Sequence, residues 1–331
     1  MLLDSASLYF RAYYGVPDSV TAPDGMPVNA VRGLLDFVAR LVTDRRPTRL
    51  VACWDDDWRP QWRVDLIPSY KAHRVAADEP VVAPAALVAS DPVASDPVAS
   101  DPVAFDAAFA EEVPDPLSAQ VPVIAAVLAA LGIARVGALG YEADDVIGTL
   151  AARARCPVDV VTGDRDLFQL VDDERGVRVL YTARGVGNHE VVTEAVVAAK
   201  YGIPSRRYAD FAALRGDPSD GLPGVPGIGD KTAAALLTAY GDLAGILAAA
   251  DRPVPDKAMR PAVRARLLAA ADYLAVAPTV VAVATDVDLP ELPDLLPRSP
   301  ADPDALLALA ERYGLHGSVT RVLTALSAAT C

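Results

Sequence analysis

Cysteine is scarce in this chain: Cys53, Cys156 and Cys331 are the three among 331 residues. They are far apart and odd in number, so neither a disulfide framework nor zinc-ligand spacing is present, and a reducing, cytoplasmic setting is the expectation. Histidine is equally scarce. His73, His189 and His316 show no metal-ligand spacing and read as surface or core residues. No apolar run reaches the ~18 residues of a membrane span. Met1-Leu2-Leu3-Asp4 lacks the basic flank and long apolar stretch of a signal peptide. No membrane partner is expected. Positive charge is also short: 30 Lys and Arg stand against 44 Asp and Glu, a net charge of −14. Taken whole, that balance disfavours a nucleic-acid partner.

The distribution of charge removes much of that objection. Residues 75–116 carry nine acids and no Lys or Arg. Nine more acids belong to the constellation described below. Setting these eighteen aside turns −14 into +4. Hydrophobic content of 52% supplies a sizeable core for one large α/β domain or two smaller ones.

Leu2-Leu3 reads as a very short strand ending at Asp4, as if the start codon were misplaced or the strand clipped, and a helical pattern follows through Tyr14. Residues 28–43 form an amphipathic helical pattern. Thr48 to Trp54 reads as a buried strand closed by Asp55-Asp56-Asp57, the last two as turn residues. Residues 58–74 mix basic and aromatic residues. Between 89 and 104 the unit Ser-Asp-Pro-Val-Ala recurs from positions 90, 95 and 100. A proline every five residues forbids regular helix and central strand, so about 76–111 is expected to be a disordered acidic insertion.

Order is expected again near Val113. Helices are predicted at 118–131 and 141–154, and short strands at Ile133–Leu139 and Val158–Val161. A hairpin is predicted at 177–192. Residues 193–250 read as mostly helical around a Gly- and Pro-rich turn at 216–229. A further helix is predicted at 262–274, a strand at Thr279–Ala284, and a last helix at 303–312. Strands alternating with helices predict a mainly parallel sheet flanked by helices.

Three of the apolar runs end in carboxylates: Asp4, Asp55, and Asp164 with Asp166. In an open parallel sheet such ends converge on one edge, where ligands bind. Glu142, Asp144 and Asp145 open a helix after another strand, and Glu142 and Asp145, three apart, share a face. So many carboxylates raise one another's pKa or require cations. Hard oxygen donors suit Mg²⁺ or Mn²⁺, and a pair of such ions can activate water and stabilise a leaving oxygen in phosphodiester cleavage. A lone Asp after a strand is usually a turn or cap residue. Gly-Tyr-Glu-Ala-Asp-Asp and Thr-Gly-Asp-Arg-Asp-Leu at one sheet edge exceed what capping requires.

Residues 216–232 read GDPSDGLPGVPGIGDKT between helical patterns. Gly224, Gly227 and Gly229 permit tight turns and close backbone approach. Such a loop aims N–H groups at a phosphate, the following helix adds its dipole, and Lys231 adds a cation. These contacts hold backbone and not sequence. Residues 201–280 hold nine Lys and Arg against eight acids, so this section is near neutral.

The segments DSASLYFRAYYG, CWD, SYKAHR, GYEADD, TGDRDL and GDPSDGLPGVPGIGDKTA, spanning about residues 4 to 285, resemble the 5′-3′ exonuclease and flap endonuclease family. That family occurs at the N-terminus of bacterial DNA polymerase I and as free-standing enzymes. The resemblance implies an α/β, PIN-like (Rossmann-like) nuclease fold with a helical helix-three-turn-helix (helix-hairpin-helix) subdomain. The expected layout is a core at 1–192, the DNA-binding subdomain at 193–278, and a return strand with helices at 279–331.

The resemblance also implies roles. Asp4, Asp55, Glu142, Asp144 and Asp145 match a first metal cluster, and Asp164, Asp166, Asp217 and Asp220 a second, together holding two or more Mg²⁺ or Mn²⁺ ions. Lys71 and Arg74 match basic residues that approach the scissile phosphate from a helical arch. Arg11 matches a basic residue near the site, and Tyr70 an aromatic beside the arch lysine. Gly224, Gly227, Gly229 and Lys231 match the duplex-binding hairpin, which in the family also holds K⁺. The implied partner of a monomer is DNA with 5′ flaps, nicks or ends, and RNA primers in RNA–DNA hybrids, in replication and repair. The chain departs from the family at Gly221, where Asn is usual and which bears on loop rigidity, and in the acidic repeat, whose nine acids fall in the arch region and should repel a strand. The competing readings are a PIN-type ribonuclease, which is shorter and lacks the hairpin, and a DNA-binding protein whose nuclease site has decayed, against which all nine acids stand.

Overall fold

The structure is a computed structural model that describes residues 1–75, 114–253 and 259–329. The acidic repeat at about 76–111 lies outside the described residues. The elements run β1 (Leu2–Asp4), α1 (Ser5–Gly15), α2 (Asn29–Arg45), β2 (Val51–Cys53), α3 (Gln61–Leu66), α4 (Asp115–Ser118), α5 (Val121–Leu131), β3 (Ala134–Val136) and α6 (Ala143–Arg153). They continue with β4 (Val158–Thr162), β5 (Val177–Tyr181), β6 (Glu190–Val192), α7 (Glu194–Tyr201), α8 (Tyr208–Arg215), α9 (Asp230–Tyr240) and α10 (Leu243–Asp251). The chain then forms α11 (Pro261–Ala269), α12 (Ala271–Val281), α13 (Pro303–Tyr313) and α14 (His316–Ala329).

The six strands form one sheet in the order β3-β2-β1-β4-β5-β6. All neighbours are parallel except β5 and β6, which are antiparallel and make the expected hairpin. Although β1 has three residues, it is central and pairs with both β2 and β4. Side chains alternate between faces of a strand, and this alternation divides the core. Leu2, Val51, Cys53, Val160 and Val179 pack on one face with α6 and α8. Leu3, Ala52, Val161 and Leu180 pack on the other with α1, α2, α5 and the two C-terminal helices. The first cluster runs without a break from the sheet through Phe168 and Tyr208 to Leu236 and Leu274, so the helical subdomain shares the core of the nuclease-like sheet.

Local signals explain several boundaries. Asp4, Asp242 and Asp302 cap α1, α10 and α13 by accepting from Ser7 N, Gly245 N and Ala305 N. The buried amide of Gln120 accepts from Ala30 N at 2.8 Å and ties α2 to the start of α5. No single helix among the described residues is long and apolar enough to cross a membrane.

Two expectations fail. Thr279–Ala284 is not a strand: Thr279, Val280 and Val281 end α12, and the chain beyond them is extended but unpaired with the sheet. The β-branched run suggested a strand, but Val280 and Val281 are buried in the cluster shared with α8, so packing overrode propensity. The helix α14 was not anticipated; it buries Val319, Val322 and Leu326 against α2.

Candidate active site

A pocket of about 650 Å³ opens at the carboxyl ends of β1, β2 and β4. Asp4, Asp55, Glu142, Asp144, Asp164 and Asp217 line it together with Lys71, Arg74 and Arg165; Ser7, Phe10 and His73 are also part of the wall. The parallel sheet therefore gathers acids that lie more than 150 residues apart. Asp166 and Asp220 lie just behind it, around a narrower cavity that Glu142 and Asp144 also line.

Each carboxylate is aimed by its local structure. Asp4 accepts from Ser7 N at 3.1 Å and from the Thr162 hydroxyl at 2.6 Å. The same Thr162 oxygen accepts from Asp164 N, and Ser7 Oγ accepts from Gly163 N, so the ends of β1 and β4 are laced together. Asp55 accepts from Ala143 N at 2.6 Å, at the first residue of α6. Asp164 accepts from Asp166 N. Asp217 accepts from Ser219 N and from Arg215, and closes its loop through two backbone hydrogen bonds with Leu222.

The cations are equally placed. Lys71 Nζ donates to Glu142 Oε1 at 2.8 Å, and Arg74 donates to Asp220 Oδ1 at 2.9 Å. Lys71 sits at φ 48°, an unusual conformation for a long side chain, held by its N–H donating to Asp220 O.

Electrostatics sets this pocket apart. Burial pushes the Asp4 carboxyl up to about 7, with Asp55 and Asp164 adding to the rise against the hydrogen bond from Thr162. Burial likewise pushes Glu142 up to about 7, although Lys71 and Arg63 oppose it. Asp144 and Asp166 are raised well above the carboxylate range by burial and then by Asp164. Burial pulls the Lys71 ammonium down, but Glu142, Tyr70 and Asp220 together outweigh it, and the group is held well above its ordinary range and stays charged. One oxygen of the buried Asp166, Oδ1, has no hydrogen-bond partner.

The donor set is all oxygen, over-supplied with negative charge, and includes an orphaned buried oxygen, so it fits hard divalent cations. Among the described residues no three His, Cys, Asp or Glu side chains converge into a ready cage.

Among the expected site residues, Asp145, Tyr70 and Arg11 do not line the larger pocket. Asp145 does not face the pocket; both its oxygens are held by Arg63 and it is fully buried. A carboxylate saturated in this way is not open to an ion. Tyr70 is 3% exposed and its hydroxyl donates to Glu142 at 2.9 Å, so it cannot stack on DNA and instead supports a pocket acid. Arg11 stands beside Gly163, which lines the pocket, and donates to Ala183 O.

The hairpin glycines differ among themselves. Gly224, at φ 64°, packs so closely that a Cβ would lie 2.4 Å from Arg215 O. Gly227, at φ 76°, and Gly229 are exposed, and Gly229 precedes α9. Lys231, in the first turn of α9, is exposed. Val225 and Ile228 are buried beneath the loop and fix it to the helices. Gly221 is required where it stands: at φ 68°, a Cβ would lie 2.0 Å from Ser69 O. The loop carrying Asp217 and Asp220 is thereby seated on the segment carrying Lys71.

The sequence reading missed Arg63, Thr162 and Gln169. Arg63 is one of four Lys and Arg within 58–74, and nothing in its local pattern distinguishes a buried guanidinium from a solvated one.

Comparison with known proteins agrees with this architecture. Residues 1–202 match the profile described as 5′-3′ exonuclease, N-terminal resolvase-like domain, and residues 203–304 match 5′-3′ exonuclease, C-terminal SAM fold. The chain is 62% identical over 328 residues to a 5′-3′ exonuclease of Streptomyces coelicolor, covering 99% of this chain and 100% of that protein. It is 51% identical to a 5′-3′ exonuclease of Mycobacterium tuberculosis, covering 98% and 97%. It is 36% identical to DNA polymerase I of Mycobacterium tuberculosis, covering 99% of this chain and 32% of that protein. Solved structures of like fold include T5 5′-exonuclease with bound zinc, at TM-score 0.57 and 15% identity over 100% of this chain and 97% of that one. The catalytic core of Rad2 in complex with DNA substrate matches at TM-score 0.57 and 16% identity, over 98% and 91%. With its two domains matched in order and its full length shared with such relatives, the chain belongs to the 5′-3′ exonuclease family.

Proposed function

We propose that this chain is a structure-selective 5′-3′ exonuclease and flap endonuclease. It hydrolyses phosphodiester bonds near the 5′ end of DNA, and of RNA primers, in replication and repair. The observation that carries the reading is the pocket in which Asp4, Asp55, Glu142, Asp144, Asp164 and Asp217 face Lys71 and Arg74. The two metal-bound and DNA-bound neighbours point the same way, and the retained acids argue against a decayed binding protein.

Two or more Mg²⁺ or Mn²⁺ ions would be held by Asp4, Asp55, Glu142 and Asp144 on one side and by Asp164, Asp166, Asp217 and Asp220 on the other. Bound there, they would supply an activated water and charge stabilisation for the leaving oxygen. Lys71 and Arg74 orient the scissile phosphate and meet the charge that develops on it. Thr162, Ser7 and Tyr70 hold the acids in place. Gly227, Gly229 and Lys231 grip the duplex backbone through N–H groups, a helix N-terminus and a cation. Gly224 shapes the loop, whose carbonyls can also receive K⁺. The protein is proposed to act as a monomer in the cytoplasm.

The test is a 5′-labelled flap substrate incubated with and without Mg²⁺, with product lengths resolved. Mg²⁺-dependent cuts at the flap junction or stepwise from the 5′ end are expected. Absence of both, or equal cleavage in EDTA, would overturn the reading.

A further inference from the structure

Asp145 is next to the acidic pocket but not of it. Arg63 NH1 and NH2 donate to its two oxygens, each at 2.7 Å. Those oxygens also accept from Glu142 N at 3.1 Å and Ala284 N at 2.8 Å. The remaining nitrogen of Arg63, Nε, donates to Val280 O at 3.0 Å, and NH1 lies 3.5 Å from Glu142 Oε2. Arg63 is 2% exposed and Asp145 is 0% exposed. One guanidinium thus joins three parts of the chain: α3, the first turn of α6, and the end of α12. The first turn of α6 carries Glu142 and Asp144. The helix α12 belongs to the stretch matched by the second family domain. Gln169 reinforces the junction by donating to Val281 O and accepting from Val283 N.

Stability alone is a poor reason for such a pair. Well-packed apolar residues of similar volume are often as stable as a buried ion pair. What an apolar pair cannot reproduce is direction: five hydrogen bonds, all charge-assisted, fix the angle at which α6 meets the pocket. Groups that orient metal-binding side chains from behind are worth roughly 10- to 100-fold in metal affinity or activity.

We propose that Arg63 is a positioning residue which, through Asp145, holds Glu142 and Asp144 in register with the end of the helical subdomain. This rests on the nuclease reading above. It assigns Asp145 to the support of the pocket.

The test compares the parent with Arg63→Met/Asp145→Leu, which removes both charges together and leaves neither buried alone, and with Arg63→Lys. Three quantities are read: melting temperature, Mn²⁺ affinity of the DNA-free protein by calorimetry, and kcat and KM on a 5′ flap. The double variant leaves Glu142 N, Ala284 N and Val280 O without these partners, so it should melt below the parent but still in one cooperative step. Its kcat and its Mn²⁺ affinity should each fall about 10- to 100-fold, with KM for the flap changed less than about 3-fold. Arg63→Lys should be intermediate, because an ammonium cannot span both carboxylate oxygens and Val280 O at once. Parental kcat and Mn²⁺ affinity in the double variant would overturn the proposal. So would loss of cooperative melting, which would make the pair a prop of the fold and not of the site. A parent that cuts no flap would sink the nuclease reading, whereas the melting and Mn²⁺ comparisons judge Arg63 separately.

Discussion

Lys71 Nζ lies 2.8 Å from Glu142 Oε1, and the Tyr70 hydroxyl donates to the same carboxylate. A cation and an acid of the pocket are therefore paired before any substrate arrives. When a phosphate enters, Lys71 can exchange Glu142 for it, leaving the acid free for an ion. Lys71→Ala should then lower kcat by on the order of 100-fold, as loss of a charge-stabilising donor does. KM should change less than about 3-fold. Steady-state kinetics on a 5′ flap separate the two; an effect confined to KM would make Lys71 a substrate anchor.

Asp166 Oδ1 is buried without a partner, and Asp144 faces the pocket. Replacing either by Ala should abolish cleavage while flap binding, followed by fluorescence anisotropy, stays within about 3-fold, because the hairpin contacts remain. EDTA should mimic both. Normal turnover in either variant would refute the assignment of these acids to the ions.

The pH dependence of the metal-free protein follows from Asp4 and Glu142, both raised to about 7. In the unfolded chain such groups titrate near 4. Between about pH 4 and pH 7 the folded state holds the extra protons of these two groups, so their contribution to stability falls as pH rises through that window. Melting in EDTA should decline from pH 5 to pH 8, a divalent ion should reverse the loss at pH 8, and Asp4→Asn should show a shallower decline. An unchanged slope in Asp4→Asn would remove Asp4 as its source.

Lys231→Ala should weaken duplex binding by a similar factor for every sequence and lower the salt slope by about 1, the signature of one lost phosphate contact. Binding titrations at several salt concentrations measure this. Unchanged binding would place the duplex elsewhere.

Gly221→Asn restores the residue usual in the family but should harm this protein. Asparagine tolerates φ 68°, yet its Cβ would meet Ser69 O at 2.0 Å. Relief requires moving the Ser69–Lys71 segment away from the Asp217–Asp220 loop. A stability loss on the order of 2 kcal/mol and a fall in kcat are expected in melting and flap assays; a variant equal to the parent would show that the segment shifts at no cost.

Periodicity, strand-end acids and the helix-opening run Glu142–Asp145 sufficed to read the sheet, the hairpin and six of the acids at or behind the pocket, whereas Asp217 and Asp220 came only from the resemblance to the family. The reason is that a parallel strand delivers its final residue to the same edge whatever lies between strands, so Asp4, Asp55 and Asp164 needed only their local patterns. Gly224 and Gly227 were likewise legible because positive φ is a local demand, whereas Gly229 is extended at φ −102°. Where the side chains of Asp145, Tyr70 and Arg63 point was a tertiary matter. Asp145 and Asp144 are neighbours with the same local signal, yet one faces the pocket and the other a guanidinium 82 residues away. The run Thr279–Val281 has the composition of a strand and became helix because α8 offered its side chains a buried surface. Sequence set which groups could reach the site; only the packing of α3, α6 and α12 decided which carboxylate stays open and which is spent on holding the others in place.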